Sequence, residues 1–345
     1  MTALLKRPSR GTAAGTGSTA LDLALRFRAL GLLIALAVLV AATAAVNPRF
    51  LGLQSVQDML FAAAITVLLA SGMTVVVLTR GIDLSVGSVL GLSAYLTASL
   101  LSETGAPVVL ALLAGLAIGA ACGAANGAII HFGKVPPLVA TLGTLYIVRG
   151  LVYFAAGGSR VNASDLPRGF LDFGNGSVLG VPYLFLISLA VLVAVAVFLA
   201  GTRAGRDLYA LGSNPEGARL VGVRAGRRLM TAYVLCGALA GLGGVLHAAR
   251  FGTVDASAGH GLELTVVAAV VVGGVAIFGG SGTVLGAGLG ALLLAVINNA
   301  LPVLRIDQFW QQAIVGALIL AAIALDRLVG LRAARALRRK GSHVD

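Results

Sequence analysis

Apolar residues run along most of this chain in blocks of about 20, separated by short polar or glycine-rich breaks. An α-helix rises 1.5 Å per residue, so such a block crosses roughly 30 Å of hydrocarbon. The blocks predict spans at 29–46, 57–79, 83–101, 107–130, 136–156, 179–200, 229–249, 262–280, 283–300 and 308–325, ten in all. The expected fold class is all-α: a polytopic membrane protein with about ten transmembrane helices. The first block contains an Ala-Thr-Ala-Ala that resembles a cleavage site. It is longer than the roughly 7–15 apolar residues of a signal peptide and reads as an uncleaved span. Residues 1–28 read as a flexible tail, 29–326 as the membrane domain with a polar loop at 201–228, and 327–345 as a basic tail.

Composition agrees. The 345 residues are 58% hydrophobic and 11% charged, where a soluble protein carries roughly 25% charged residues. A net charge of +12 raises nucleic acid as a partner. The basic residues form no stripe with aromatics, however, and nucleic-acid binding is excluded. They lie instead in short loops and at both ends. With both termini cytoplasmic, the inner segments hold nineteen basic residues and the outer ones five, with Arg149 inside a span. That is the positive-inside bias, and it makes the 201–228 loop cytoplasmic. Cys122 and Cys236 sit in apolar runs without metal or disulfide spacing, and the histidines are scattered. No metal, cofactor or catalytic set is expected. "GAIIHFGKV" at 127–135 fails as a phosphate loop: five residues separate its glycines where four are needed, and Val135 follows Lys134.

The chain also echoes itself. "GIDLSVGS" at 81–88 is matched by "GLELTVVA" at 261–268, each opening an apolar span. Glycine-spaced helices follow both: Gly115, Gly119, Gly123 and Gly127 with Asn126, then Gly282, Gly286 and Gly290 with Asn298 and Asn299. The first copy starts on the inner side and the second on the outer. Spans 2–5 and 7–10 thus read as an inverted repeat, a common transporter plan. Glycines four apart share one helix face and let two backbones approach, so they are read as packing residues. Asp83 and Glu263 are acids at span starts. Either they line a translocation pathway or they cap their own helices. The buried amides Asn126, Asn298 and Asn299 either line that pathway or bridge helices.

The polar loop contains "LYALGSNPEGARLVGV" at 208–223. Ser213 or Asn214 suits a helix cap, and Pro215 its first turn. Ser213 and Glu216 have capping-box spacing, and Glu216 and Arg219 are placed to pair. Gly217 and Ala218 are small, while Leu220, Val221 and Val223 supply apolar area. A short capped helix of this kind suits docking into a groove on another protein; the alternative is an amphipathic helix resting on the membrane surface.

"EGARLVG" at 216–222 resembles the Glu-Ala-Ala-x-x-x-Gly coupling motif of ABC transporter permeases. Glu216, Ala218 and Gly222 match, and Gly217 replaces the middle Ala. With "GIDLSVGS", "VPPLVATLGTLYIVRGL" and the run from Glu263 to Leu301, the chain is similar to the ribose-type sugar permeases of bacterial ABC importers over about residues 50–325. The resemblance implies a non-catalytic, inner-membrane permease subunit with a type II importer-like fold. It implies an ABC ATPase that hydrolyses the ATP, an extracytoplasmic sugar-binding protein, and a second permease, identical or a sibling. Asn214 to Gly222 would form the coupling helix, and the cargo would be a pentose, a deoxyhexose or a sugar-like signal. The rival from another class is a self-contained secondary transporter or channel.

Overall fold

The computed structural model describes residues 16–324 except 308, 311, 322 and 323. The basic tail at 327–345 and residues 1–15 lie outside the described residues. The described residues are helical almost throughout: α1 (Thr16–Val46), α2 (Leu53–Leu78), α3 (Val86–Thr104), α4 (Val108–His131), α5 (Pro137–Ala156), α6 (Arg168–Asn175), α7 (Tyr183–Gly201), α8 (Arg203–Ser213), α9 (Pro215–Leu220), α10 (Ala225–Phe251), α11 (Leu262–Val272) and α12 (Val284–Val303), followed by α13 (Gln312–Ala321). Among the described residues six helices, α2, α4, α5, α7, α10 and α12, are long and apolar enough to cross a membrane. A two-strand hairpin, Ser177–Val178 with Val181–Pro182, turns through Leu179 and Gly180 at φ 49° and 83°. Its Pro182 delays α7 to Tyr183, inside the expected 179–200 span.

Two expected elements differ from the sequence reading. The helix that holds the first span begins at Thr16, within the segment read as tail. The block 262–280 is not one helix: α11 stops at Val272, and a turn follows in which Gly274, Gly279, Gly280 and Gly282 all have positive φ. Eleven residues make about 16 Å, half a bilayer's hydrocarbon. Gly282, expected on a packing face, therefore precedes α12 and serves the turn at φ 123°, a conformation that L side chains rarely adopt.

Helix α2 is buried without interruption from Ala63 to Leu78, enclosed by α7, α10, α11 and α12. Apolarity all round is what a helix at the centre of a bundle requires. Helices α4 and α10 lie antiparallel along the glycine face. A Cβ at Gly119 would fall on the Gly237 carbonyl oxygen, and one at Gly123 on that of Tyr233. Gly115 meets Val245 and Gly241, and Gly127 meets Met230. The same device seats α12 on α11, where Gly286 lies on the Gly273 carbonyl and Gly290 on that of Ala269. Without a hydrophobic effect between helices in lipid, such close backbone approach supplies the packing energy.

Candidate functional site

The polar loop folds as two short helices. The Thr202 hydroxyl accepts from Gly205 N at 3.0 Å and caps α8. Asn214 caps α9, its Oδ1 accepting from Gly217 N at 3.0 Å, with Pro215 in the first turn. The cap is therefore Asn214 and not Ser213. Glu216 and Arg219 are both exposed, and among the described residues neither forms an ion pair, so they do not pair with each other as their spacing suggested. Ala218 is buried beneath the helix, whereas Leu220 and Val221 are 88% and 76% exposed. Gly222 ends the element at φ 83°. The absence of a side chain at 217 has a local reason: a Cβ there would lie 2.8 Å from Nδ2 of the capping Asn214.

This loop is fastened to the membrane helices at two points. The Arg228 guanidinium donates to Asp207 Oδ2 from Nε at 2.9 Å and Nη2 at 2.7 Å, joining α8 to the start of α10. Arg80 donates from Nε to the Gly212 carbonyl at 2.5 Å and from Nη2 to the Ser213 carbonyl at 2.9 Å. Those carbonyls end α8, where a cation also complements the helix dipole. Arg80 occupies φ 69°, a left-handed position normally filled by glycine after a helix. The strained arginine is the link between α9 and the segment that follows α2. Sequence reasoning counted Arg80 only as an inner-side charge; nothing local marks its partners, which lie 132 and 133 residues away.

Beyond Arg80 the chain does not turn straight into α3 but runs extended into the bundle. Gly81 faces the Tyr233 hydroxyl and Leu90 faces Gly244, so α3 begins roughly midway along α10. Asp83, 1% exposed, accepts on Oδ1 from Ser85 N at 2.9 Å and Ser85 Oγ at 2.6 Å. Asn126, also 1% exposed, donates to Ser85 Oγ at 2.9 Å and to Asp83 Oδ1 at 3.3 Å. Thr144 of α5 donates to Asn126 Oδ1 at 2.7 Å, and Thr141 donates to the Ile82 carbonyl at 3.0 Å. The knot joins the α2–α3 segment to α4 and α5.

From the opposite end, the chain after α10 also enters the bundle. Gly87 of α3 abuts the Gly259 carbonyl and the Glu263 carboxylate, so the starts of α3 and α11 meet. Arg149, 7% exposed on α5, donates to the carbonyls of Ala258 at 2.7 Å and Ala256 at 3.1 Å. An intramembrane arginine is a functional candidate on its own, and Arg149 stands inside the apolar run 136–156, so this signal is legible in the sequence. Glu263 Oε2 and Ser88 Oγ are buried at this junction without a hydrogen-bond partner among the described residues. The Asp255 carboxylate, on the entering segment, accepts from Ser257 Oγ at 2.6 Å and Ser257 N at 2.7 Å, which holds it below its ordinary pKa. The structure does not bring Asn298 and Asn299 to this junction's hydrogen bonds. Asn299 donates to the Ala295 carbonyl within its own helix at 2.9 Å, and Asn298 Oδ1 is buried without a partner among the described residues.

Among the described residues no group of His, Cys, Asp and Glu could hold a metal ion. The geometry is that of a helical membrane protein with two chain segments entering from opposite ends and a capped surface helix tied to one of them. Residues 55–323 match the family described as branched-chain amino acid transport system / permease component. The chain is 39% identical over 297 residues to the ribose import permease protein RbsC of Escherichia coli K12, covering 85% of this chain and 92% of that one. It is 34% identical to the D-allose transport system permease protein AlsC of the same strain, covering 87% and 91%. It is 37% identical to the autoinducer 2 import system permease protein LsrC of Salmonella typhimurium LT2, covering 89% and 88%. No solved structure matches. The chain therefore belongs to the transport-system permease family, as a ribose-type, multi-pass inner-membrane permease subunit of an ABC importer.

Proposed function

We propose that this subunit carries a monosaccharide, a pentose, a deoxyhexose or a sugar-like signal, handed over by a separate extracytoplasmic binding protein. Ten spans cross the membrane with both termini cytoplasmic. Two permeases, identical or siblings, form the passage, and an ABC ATPase beneath them hydrolyses the ATP. The permease itself performs no bond chemistry. Helix α9 docks in the ATPase, with Leu220 and Val221 as its apolar contact and Glu216 as its charged one. The observation that carries this reading is the Arg80 tether, which joins the exposed α9 to the segment entering the bundle. A push on α9 is thereby delivered to the Asp83 knot and to the junction of α3 with α11.

The entry of α2–α3 from one end and α10–α11 from the other supports an inverted repeat, the plan in which broken helices meet near the midplane. In this arrangement Asp83 and Asn126 hold the passage wall together, and Glu263, its Oε2 packed against Gly87, belongs to that wall where α3 meets α11. The test is uptake of labelled monosaccharide by liposomes holding permease, ATPase and binding protein. Glu216→Arg should abolish uptake and leave membrane insertion unchanged. Normal uptake by that variant, or accumulation against a gradient by the permease alone, would overturn the reading.

A further inference from the structure

We propose that an anionic phospholipid binds between α7 and α10, its acyl chain in an apolar groove and its phosphate in a basic pocket beside the coupling loop. The groove, about 930 Å³, is walled by Val191, Val195 and Phe198 of α7 and by Val234, Ala238 and Leu239 of α10. At one end it reaches Arg227. From Arg227 to Leu239 is about 18 Å along the helix, the depth of one leaflet of a roughly 30 Å hydrocarbon core.

Arg227 also lines a second cavity of about 260 Å³, with Arg203, Arg224, Arg228 and Asp207. Asp207, the acid of this pocket, is already engaged by Arg228. Arg203, Arg224 and Arg227 have no carboxylate partner among the described residues and are exposed. Arg227 thus lines both cavities, an apolar one and a strongly basic one. That is the complement of a lipid with a negatively charged headgroup.

The leaflet is the cytoplasmic one, which rests on the orientation proposed above; the lipid site itself does not depend on which cargo is carried.

The test is native mass spectrometry of the purified full-length permease with dioleoyl phosphatidylglycerol or dioleoyl phosphatidylcholine. The expected result is at least five-fold preferential retention of the anionic lipid. Arg224→Glu with Arg227→Glu should bring the two lipids to parity, while Arg224→Lys with Arg227→Lys keeps the preference. Ala238→Trp, which fills the groove from the far side, should reduce retention of both. Equal retention by the unaltered chain overturns the proposal. So does a charge-reversed chain that keeps its lipid preference but no longer co-purifies with the ATPase, which would give the pocket to an acidic protein face.

Discussion

Replacing Asp83 by alanine would remove the acceptor at the centre of the buried knot. Oδ1 receives the Ser85 backbone N–H at 2.9 Å, the Ser85 hydroxyl at 2.6 Å and the Asn126 amide at 3.3 Å. The last contact is long, and Asn126 keeps its 2.9 Å bond to Ser85 Oγ, so two donors are orphaned. A buried unsatisfied donor costs about 1–3 kcal/mol, which puts the loss near 4 kcal/mol. Asp83→Asn keeps an acceptor in place and should lose about 1–2 kcal/mol. At about 2 °C per kcal/mol for a large domain, the alanine variant should melt about 8 °C lower. Cys236, 1% exposed on the helix that Gly81 faces, provides the readout. In a Cys122→Ala background it is the remaining thiol, and a thiol-reactive dye reports its exposure on heating. If Asp83→Ala labels at the same temperature as the parent, or if Asn is as damaging as Ala, the knot does not hold the bundle together as argued.

Three further outcomes follow from the geometry. Arg80→Gly relieves a left-handed arginine, worth about 1–2 kcal/mol, but cuts both bonds to the end of α8. Its melting temperature should stay near that of the parent while sugar-stimulated ATPase activity of the assembly falls, and unchanged stimulation would show that the tether transmits nothing. Gly119→Leu should prevent a monodisperse permease from being purified, because its side chain would occupy the Gly237 carbonyl; Gly143→Ala, with nothing within 4 Å, should purify normally and melt no lower. Gly222→Ala, strained at φ 83°, should weaken ATPase co-purification more than Gly217→Ala, where a helix-propensity gain of about 1 kcal/mol offsets the disturbed Asn214 cap.

The one-dimensional pattern was enough for the solvent, the class and the surface helix. Runs of apolar residues matched to bilayer thickness need no partners to be read, and a cap with proline and small residues is a local signal over a few positions. The glycine faces of α4 and α12 were legible for the same reason, since a spacing of four defines a face before its partner is known. What failed was any feature created by residues distant in sequence. The apolar block 262–280 looked like one span because hydropathy cannot register that its glycines adopt positive φ and end α11 halfway. Sequence leaves Asp83 between pathway and cap and Asn126 between pathway and helix bridge, because burial of a carboxylate and an amide is tolerable only when each satisfies the other, and that requires α3, α4 and α5 to be packed. Arg80 and Arg149 gained their meaning from backbone carbonyls more than a hundred residues away. Backbone carbonyls exist at every position, so only tertiary packing decides which of them an arginine reaches.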